Sequence, residues 1–208
     1  MDYQIRTYSD DDKLVATRRE QIAHGAARVF VRKGFQNTNV NEIAEACSMS
    51  KGNLYHYIGS KEDILFLVVE YGLAWVDEVC EKIIKLYANE SFKNALETTI
   101  DMMCRSMDEK QDITLFCLRE VRYLDQPYRH KVYDMEEKLI KVIEGLLARG
   151  NETDEFAIDD VSMVANDIVV DIQMWAFRRR FLNKRYTLDK YIKSRTRLIF
   201  KLVGAEKR

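Results

Sequence analysis

Residues 50–57, SKGNLYHY, place a serine, a lysine, a glycine, an asparagine and three aromatic rings within eight positions. Each type has a use against a polyanion. Ser50 can cap a helix and leave that helix's free N–H groups facing an anion, while Lys51 adds a point charge. Gly52 lets a backbone come close to a phosphate. Asn53 matches the adenine edge, and the hydroxyls of Tyr55 and Tyr57 and the His56 ring can reach phosphate oxygens. A second candidate is the carboxylate pair Asp167 and Asp171, spaced i, i+4, which suits either a cation or an ion pair with Arg178.

The elements that must position these residues follow from periodicity. Residues 14–34 read as an amphipathic helix through Ile22, Ala26, Val29 and Phe30, stopped by Gly34. Thr38 or Asn39 can cap the next helix, VNEIAEAC, with Val40, Ile43, Ala44 and Cys47 inward. Ser48 and Met49 leave room only for a tight turn. A third helix follows with Leu54, Tyr57 and Ile58 inward and Gly52 and His56 opposite, which points Tyr57 partly into the core. Ser60 and Asp63 then start a long helix predicted over 61–86. Two short helices joined by a tight turn and braced by a third form a helix-turn-helix, whose second helix enters the major groove. A plain trihelical bundle has the same spacing.

Composition sets bounds. One proline and eight glycines in 208 residues, with 47% hydrophobic content, predict an all-α protein with a real core. No apolar run is long enough for a membrane span, and the acidic N-terminus does not read as a signal peptide, so a cytosolic protein is expected. Cys47, Cys80, Cys104 and Cys117 lack metal-ligand spacing and are expected as reduced, buried thiols, with no metal and no cofactor. The net charge of −1 hides an asymmetry: from Lys13 to Lys61, eight basic residues face only Glu20, Glu42 and Glu45. A local basic block on a near-neutral chain fits a phosphate-binding module, or else a solvated helix face.

Residues 34–65, GFQNTNVNEIAEACSMSKGNLYHYIGSKEDIL, resemble the DNA-binding region of the TetR family of bacterial transcriptional regulators. Gly34, Thr38, Val40, Ile43, Ala44, Ser50, Gly52, Leu54, Tyr55, Tyr57 and Lys61 carry the likeness. Two departures are visible: Ser48 stands where the family turn has glycine, which should strain the turn, and Ile58 stands for a phenylalanine. The resemblance implies DNA contacts at Thr38, Asn39, Asn41, Ser50, Lys51, Gly52, Asn53, Tyr55, His56 and Tyr57, with Lys61 clamping a phosphate. It also implies an N-terminal DNA-binding domain over 14–60 and a ligand-binding and dimerisation domain over 61–208.

Beyond residue 60 no nucleotide loop, catalytic triad or zinc motif is present, so no enzyme is indicated. Further helices are predicted over 91–107, 110–124, 128–149 (ended by Gly150), 157–183 and 187–203. The 157–183 helix carries two apolar stripes. Val161, Val164, Ile168, Ile172 and Trp175 form one; Met163, Val170, Met174, Phe177 and Phe181 form the other. A helix apolar on two sides needs two partners: its own core and a second subunit. With Leu198 and Leu202 the outer stripe is the expected homodimer interface, as the last two helices are in TetR regulators. Met102, Met103, Phe116, Tyr123, Trp175 and Arg178 are expected to line a pocket for a small apolar effector. WAFRRRFL followed by YTLDKYI resembles TetR members that sense acyl-CoA or fatty acids, so Arg119, Arg122, Arg178 and Arg179 could meet coenzyme A phosphates. The reading is a dimeric, ligand-responsive repressor on a palindromic operator in double-stranded DNA. Its rivals are an all-helical carrier or enzyme and a nonspecific DNA binder.

Overall fold

The computed structural model describes residues 5–205, and every regular element among them is helical. The helices are α1 (Asp12–Lys33), α2 (Val40–Ala46), α3 (Lys51–Tyr57), α4 (Lys61–Leu73), α5 (Trp75–Asn89), α6 (Phe92–Glu109), α7 (Gln111–Glu120), α8 (Gln126–Glu152), α9 (Val161–Leu182) and α10 (Leu188–Leu202). A short 3-10 turn, Val121–Tyr123, follows α7. They fall into two compact units: residues up to Ala74 with Asp112–Asp134, and Trp75–Gln111 with the residues from Met135 onward.

In the first unit α1 packs on α2, α3 and α4 through Ile22, Ala26, Phe30, Ile43, Leu54, Ile58, Ile64, Leu65 and Val68, all fully or almost fully buried. The N-terminal unit is larger than the expected 14–60, because α4 and the 112–134 segment share its core. Phe116 stacks on Phe30 at 5.7 Å between centroids, Tyr123 lies 5.6 Å from Phe35, and Tyr128 stacks on Phe66 at 4.1 Å. Gly72 permits the fit of α4 against α7, since a Cβ there would stand 2.7 Å from Cys117 Sγ and 2.9 Å from Ile113 Cγ1. The helix expected over 61–86 is interrupted at Ala74, which separates α4 from α5.

In the second unit α6 is central, touching α5, α9 and α10. Leu96, Ile100, Met103, Cys104, Ile143, Leu146, Leu147, Ile168, Ile172 and Trp175 form the core. The N-terminus of α6 is capped by Ser91, and the Glu155 carboxylate accepts from the backbone N–H groups of Phe92 and Lys93.

Three further helix boundaries differ from those the sequence predicts. Gly150 does not end α8, which continues to Glu152; the glycine instead makes room for Phe156, whose ring would lie 2.0 Å from a Cβ at that position. The helix expected from 157 starts at Val161. Asn151 holds Ile158 by two hydrogen bonds in non-helical backbone, and Asp160 then caps α9 through the Met163 N–H. The stretch expected as one helix over 110–124 ends at Glu120 in the 3-10 turn.

Candidate nucleic-acid interface

The turn between α2 and α3 is built by backbone chemistry. Cys47 ends α2, and Ser48 follows at φ 54°. The Ser48 N–H donates to the Glu45 carbonyl at 3.0 Å and the Met49 N–H to the Ala44 carbonyl at 2.9 Å. These bonds are those of a Schellman stop, in which the left-handed position usually belongs to glycine. The strain expected at Ser48 is therefore located: a side chain stands where a Cβ is disfavoured.

Helix α1 holds this turn from behind. Gln21 Nε2 donates to the Cys47 carbonyl at 2.8 Å and Arg28 Nη2 to the Ala46 carbonyl at 2.9 Å. At Gly25 the approach is so close that a Cβ would lie 2.4 Å from Cys47 Sγ. Burial pushes the Cys47 thiol above its ordinary pKa, as it does for Cys80 and, up to about 12, for Cys104. All four cysteines are buried, and none is in a disulfide.

On this base the structure sorts the expected contact residues. Asn39 caps α2, its Oδ1 accepting from the Glu42 N–H while Glu42 accepts from the Asn39 N–H. Ser50 caps α3 through the Asn53 N–H at 3.1 Å. Asn39, Asn41, Ser50, Lys51, Gly52, Asn53 and His56 are exposed, and Tyr55 is half-buried. Two residues are placed inward instead. Thr38 is buried, with its hydroxyl donating to the Gly34 carbonyl at 2.9 Å, so it shapes the approach to α2. Tyr57 is buried, its ring edge-on to His56 at 5.2 Å.

Gly52 is the informative position. A Cβ there would meet nothing within 4 Å, and its φ is not in the left-handed region. Glycine in a helix costs about 1 kcal/mol relative to alanine, and no intramolecular contact accounts for it here. Lys61 begins α4 with its Nζ 4.3 Å from the centre of the Phe35 ring, and burial lowers its pKa. The ring holds the ammonium at the start of the helix, next to the turn from α3.

In the second unit the two stripes of α9 separate as expected from their phase. Ile168, Ile172 and Trp175 are buried, whereas Met163, Val170, Phe177 and Phe181 are exposed, as are Leu198 and Leu202 on α10; Met174 is half-buried. Asp171 pairs with Arg195 at 2.8 Å, not with Arg178, whose guanidinium lies over the Phe181 ring at 5.8 Å. The Arg195 and Asp171 side chains meet where α10 lies against α9.

The six residues expected to line an effector pocket do not share one core. Phe116 and Tyr123 pack inside the first unit against Phe30 and Phe35. Met103 and Trp175 are buried in the second, where the Trp175 indole donates to Asp108 at 2.7 Å, while Met102 is half-buried and Arg178 exposed. Sequence reasoning passed over Trp75 and Thr99. The Trp75 indole nitrogen and the Thr99 hydroxyl are buried without a hydrogen-bond partner among the described residues. Neither carries a motif that could have singled it out. Among the described residues no cluster of three or more His, Cys, Asp or Glu could hold a metal ion, and no helix is long and apolar enough to cross a membrane.

Comparison with known proteins agrees with this geometry. The sequence model for bacterial regulatory proteins of the tetR family matches residues 22–68, and that of a tetracyclin repressor-like C-terminal domain matches residues 89–176. The chain belongs to the TetR family of bacterial transcriptional regulators. It is 25% identical over 191 residues to the HTH-type transcriptional regulator HbdR of Aromatoleum, covering 90% of this chain and 81% of that one. Its fold is that of a tetR-family regulatory protein from Rhodococcus RHA1, with TM-score 0.79 at 19% identity over 91% of this chain and 98% of that one. It also matches AibR, solved with isovaleryl coenzyme A and operator DNA, with TM-score 0.73 at 20% identity over 89% and 98% of the two chains.

Proposed function

We infer that the chain is a homodimeric, ligand-responsive repressor of the bacterial cytoplasm rather than an enzyme. It binds a palindromic operator through α2, α3 and Lys61 and leaves it when a small apolar effector occupies the C-terminal unit. The observation that carries this reading is Gly52: an exposed helical glycine with open space around it, flanked by Lys51 and Asn53, is explained by a surface that approaches from outside. Asn39, Asn41, Ser50, Tyr55 and His56 share the role of contact residues, and Thr38 and Tyr57 support them from within.

Dimerisation follows from the outer face of α9 and α10. Six large apolar side chains there, Met163, Val170, Phe177, Phe181, Leu198 and Leu202, are between 44% and 58% exposed. A patch of this kind marks an interaction surface. Two copies are also what a palindrome requires, because recognition helices must meet major grooves about 34–36 Å apart. The effector is read as an acyl-CoA, in keeping with the isovaleryl coenzyme A of AibR and the family-like WAFRRRFL run. Buried donors without partners, Trp75 and Thr99, give such a ligand polar contacts in an otherwise apolar interior.

The experiment is fluorescence anisotropy of the purified protein on the DNA upstream of its own gene, against random DNA at the same salt, with acyl-CoAs titrated into the complex. A preference for the upstream DNA of 10³ or more, lost on adding one acyl-CoA, is expected. No preference for any duplex, including ones selected from a random pool, removes the regulator reading. Binding that no acyl-CoA disturbs removes the effector class alone.

A further inference from the structure

The segment before α1 carries no motif, and by charge alone its aspartates are ill-suited to a polyanion. In the structure its residues 5–8 are docked on the recognition helix. The Tyr8 N–H donates to the His56 carbonyl at 3.0 Å, and the Thr7 hydroxyl reaches the same oxygen at 3.4 Å. Arg19 of α1 ties both segments together: its Nη2 donates to the Ile5 carbonyl at 2.7 Å and its Nε to the Tyr57 carbonyl at 3.1 Å. Carbonyls in the last turn of a helix lack donors of their own, so the arm and Arg19 supply what the end of α3 needs.

Two side chains of the arm are not used in this docking. Tyr8 is 66% exposed, with its ring 6.2 Å from that of His56. Arg6 is exposed, and its Cβ lies 3.4 Å from where a Cβ on Gly59 would stand, beside the turn that leads to Lys61. Among the described residues no carboxylate pairs with the Arg6 guanidinium. The acids that follow are mostly directed elsewhere. Asp11 caps α1 through the Leu14 N–H, and Asp12 lines a groove with Arg19 and Lys131.

We propose that residues 5–8 form a second DNA-contacting element, in which Arg6 and Tyr8 bind backbone phosphates next to those reached by His56 and Lys61. The proposal rests on the reading of α3 as the recognition helix. Its occupant is the duplex backbone rather than base edges, because the arm is anchored on the end of α3 remote from Lys51, Gly52 and Asn53. Phosphate contacts position a protein without reading sequence. The arm therefore adds affinity and salt dependence equally on all duplexes.

The test uses the full chain, a labelled duplex selected from a random pool by the wild-type protein, and an unselected duplex, across a salt series. Arg6→Ala is expected to flatten the slope of log K against log salt by about 0.9 per bound protomer. It should weaken both duplexes by a similar factor, while Arg6→Lys keeps the slope. The thermal midpoint should not move, since the arm is held by its main chain. Lys61→Ala is the reference variant. If Arg6→Ala keeps the wild-type slope and affinity while Lys61→Ala loses both, the arm proposal is overturned and the reading of α3 stands. If the wild-type protein binds no duplex, or neither variant changes anything, both fall.

Discussion

The Tyr128 hydroxyl donates a 2.6 Å hydrogen bond to Oδ1 of Asp63, whose Oδ2 accepts from the backbone N–H groups of Gly59 and Ser60 at 2.8 Å each. Asp63 is 3% exposed. One buried carboxylate thus joins the first turn of α8 to the turn between the recognition helix and Lys61. Tyr128→Phe keeps the stacking on Phe66 but leaves Asp63 Oδ1 short of a donor. The expected cost is about 1.5–3 kcal/mol in chemical denaturation, as for bonds to charged groups. A fall in DNA affinity should accompany it, measured at a temperature where the variant is fully folded. A variant as stable as the wild type would show that this bond does not brace the turn.

Gly52→Ala separates folding from recognition. Alanine fits the space around α3 and favours the helix, so the variant should gain up to about 1 kcal/mol in stability. The added methyl should nevertheless weaken duplex binding at least tenfold, because it stands between the backbone and an approaching phosphate. Equal binding by the more stable variant would remove Gly52 from the interface.

Ser48→Gly should stabilise the protein by about 0.5–1 kcal/mol, since glycine suits φ 54° and, among the described residues, no side-chain hydrogen bond of Ser48 is lost. Gly25→Ala should do the reverse by about 1–3 kcal/mol, through its collision with Cys47 Sγ. Adding Cys47→Ala to Gly25→Ala should recover part of the loss. Thermal melts of the three variants check both signs, and an absence of rescue would show that the backbone of residues 46 and 47, at 3.2 Å, is the true obstacle.

How much of this was legible follows from the range of each interaction. Helix existence, the caps at Asn39, Ser50 and Ser60 and the two stripes of α9 depend on residues within a turn or two, and the sequence carries them. The strain at Ser48 was readable through the family resemblance alone, because the turn there has glycine where this chain has serine. What depended on distant partners was not. Gly150 looks like a helix stop until Phe156 is seen against it, and Phe116 looks like a pocket wall until its neighbour is Phe30. Likewise Asp171 faces Arg178 on a helical projection, while Arg195 arrives from α10. At the candidate site, exposure of Gly52 and His56 followed from phase; the Arg19 link to Ile5 and Tyr57 and the Tyr128 bond did not.

The apolar face of α9 and α10 gives a fourth prediction. Phe177→Glu places a charge in the centre of the exposed stripe without touching the core. Light scattering or sedimentation should report a monomer at concentrations where the wild type is a dimer, with unchanged far-ultraviolet circular dichroism. Binding to a palindromic duplex should weaken far more than binding to a half-site, because the variant loses only the coupling of two recognition helices. A dimeric Phe177→Glu protein would place the subunit contact elsewhere.

Glu136 on α8 supplies a test by pH. Burial alone pushes its carboxyl above the ordinary glutamate range, and no cation is among the causes of the shift. Its folded-state pKa is raised, so between the ordinary value of about 4.3 and the raised one the native state holds the proton more often than the unfolded chain. Stability from this group therefore falls as pH rises through that window, and the full penalty is present above it. Glu136→Gln keeps shape and removes the charge. It should raise the thermal midpoint at pH 7, with the gain shrinking as pH falls and vanishing near pH 4, where glutamate is already protonated in the native state. A gain of equal size at pH 4 and pH 7 would mean that packing, not desolvation of the carboxylate, sets the difference.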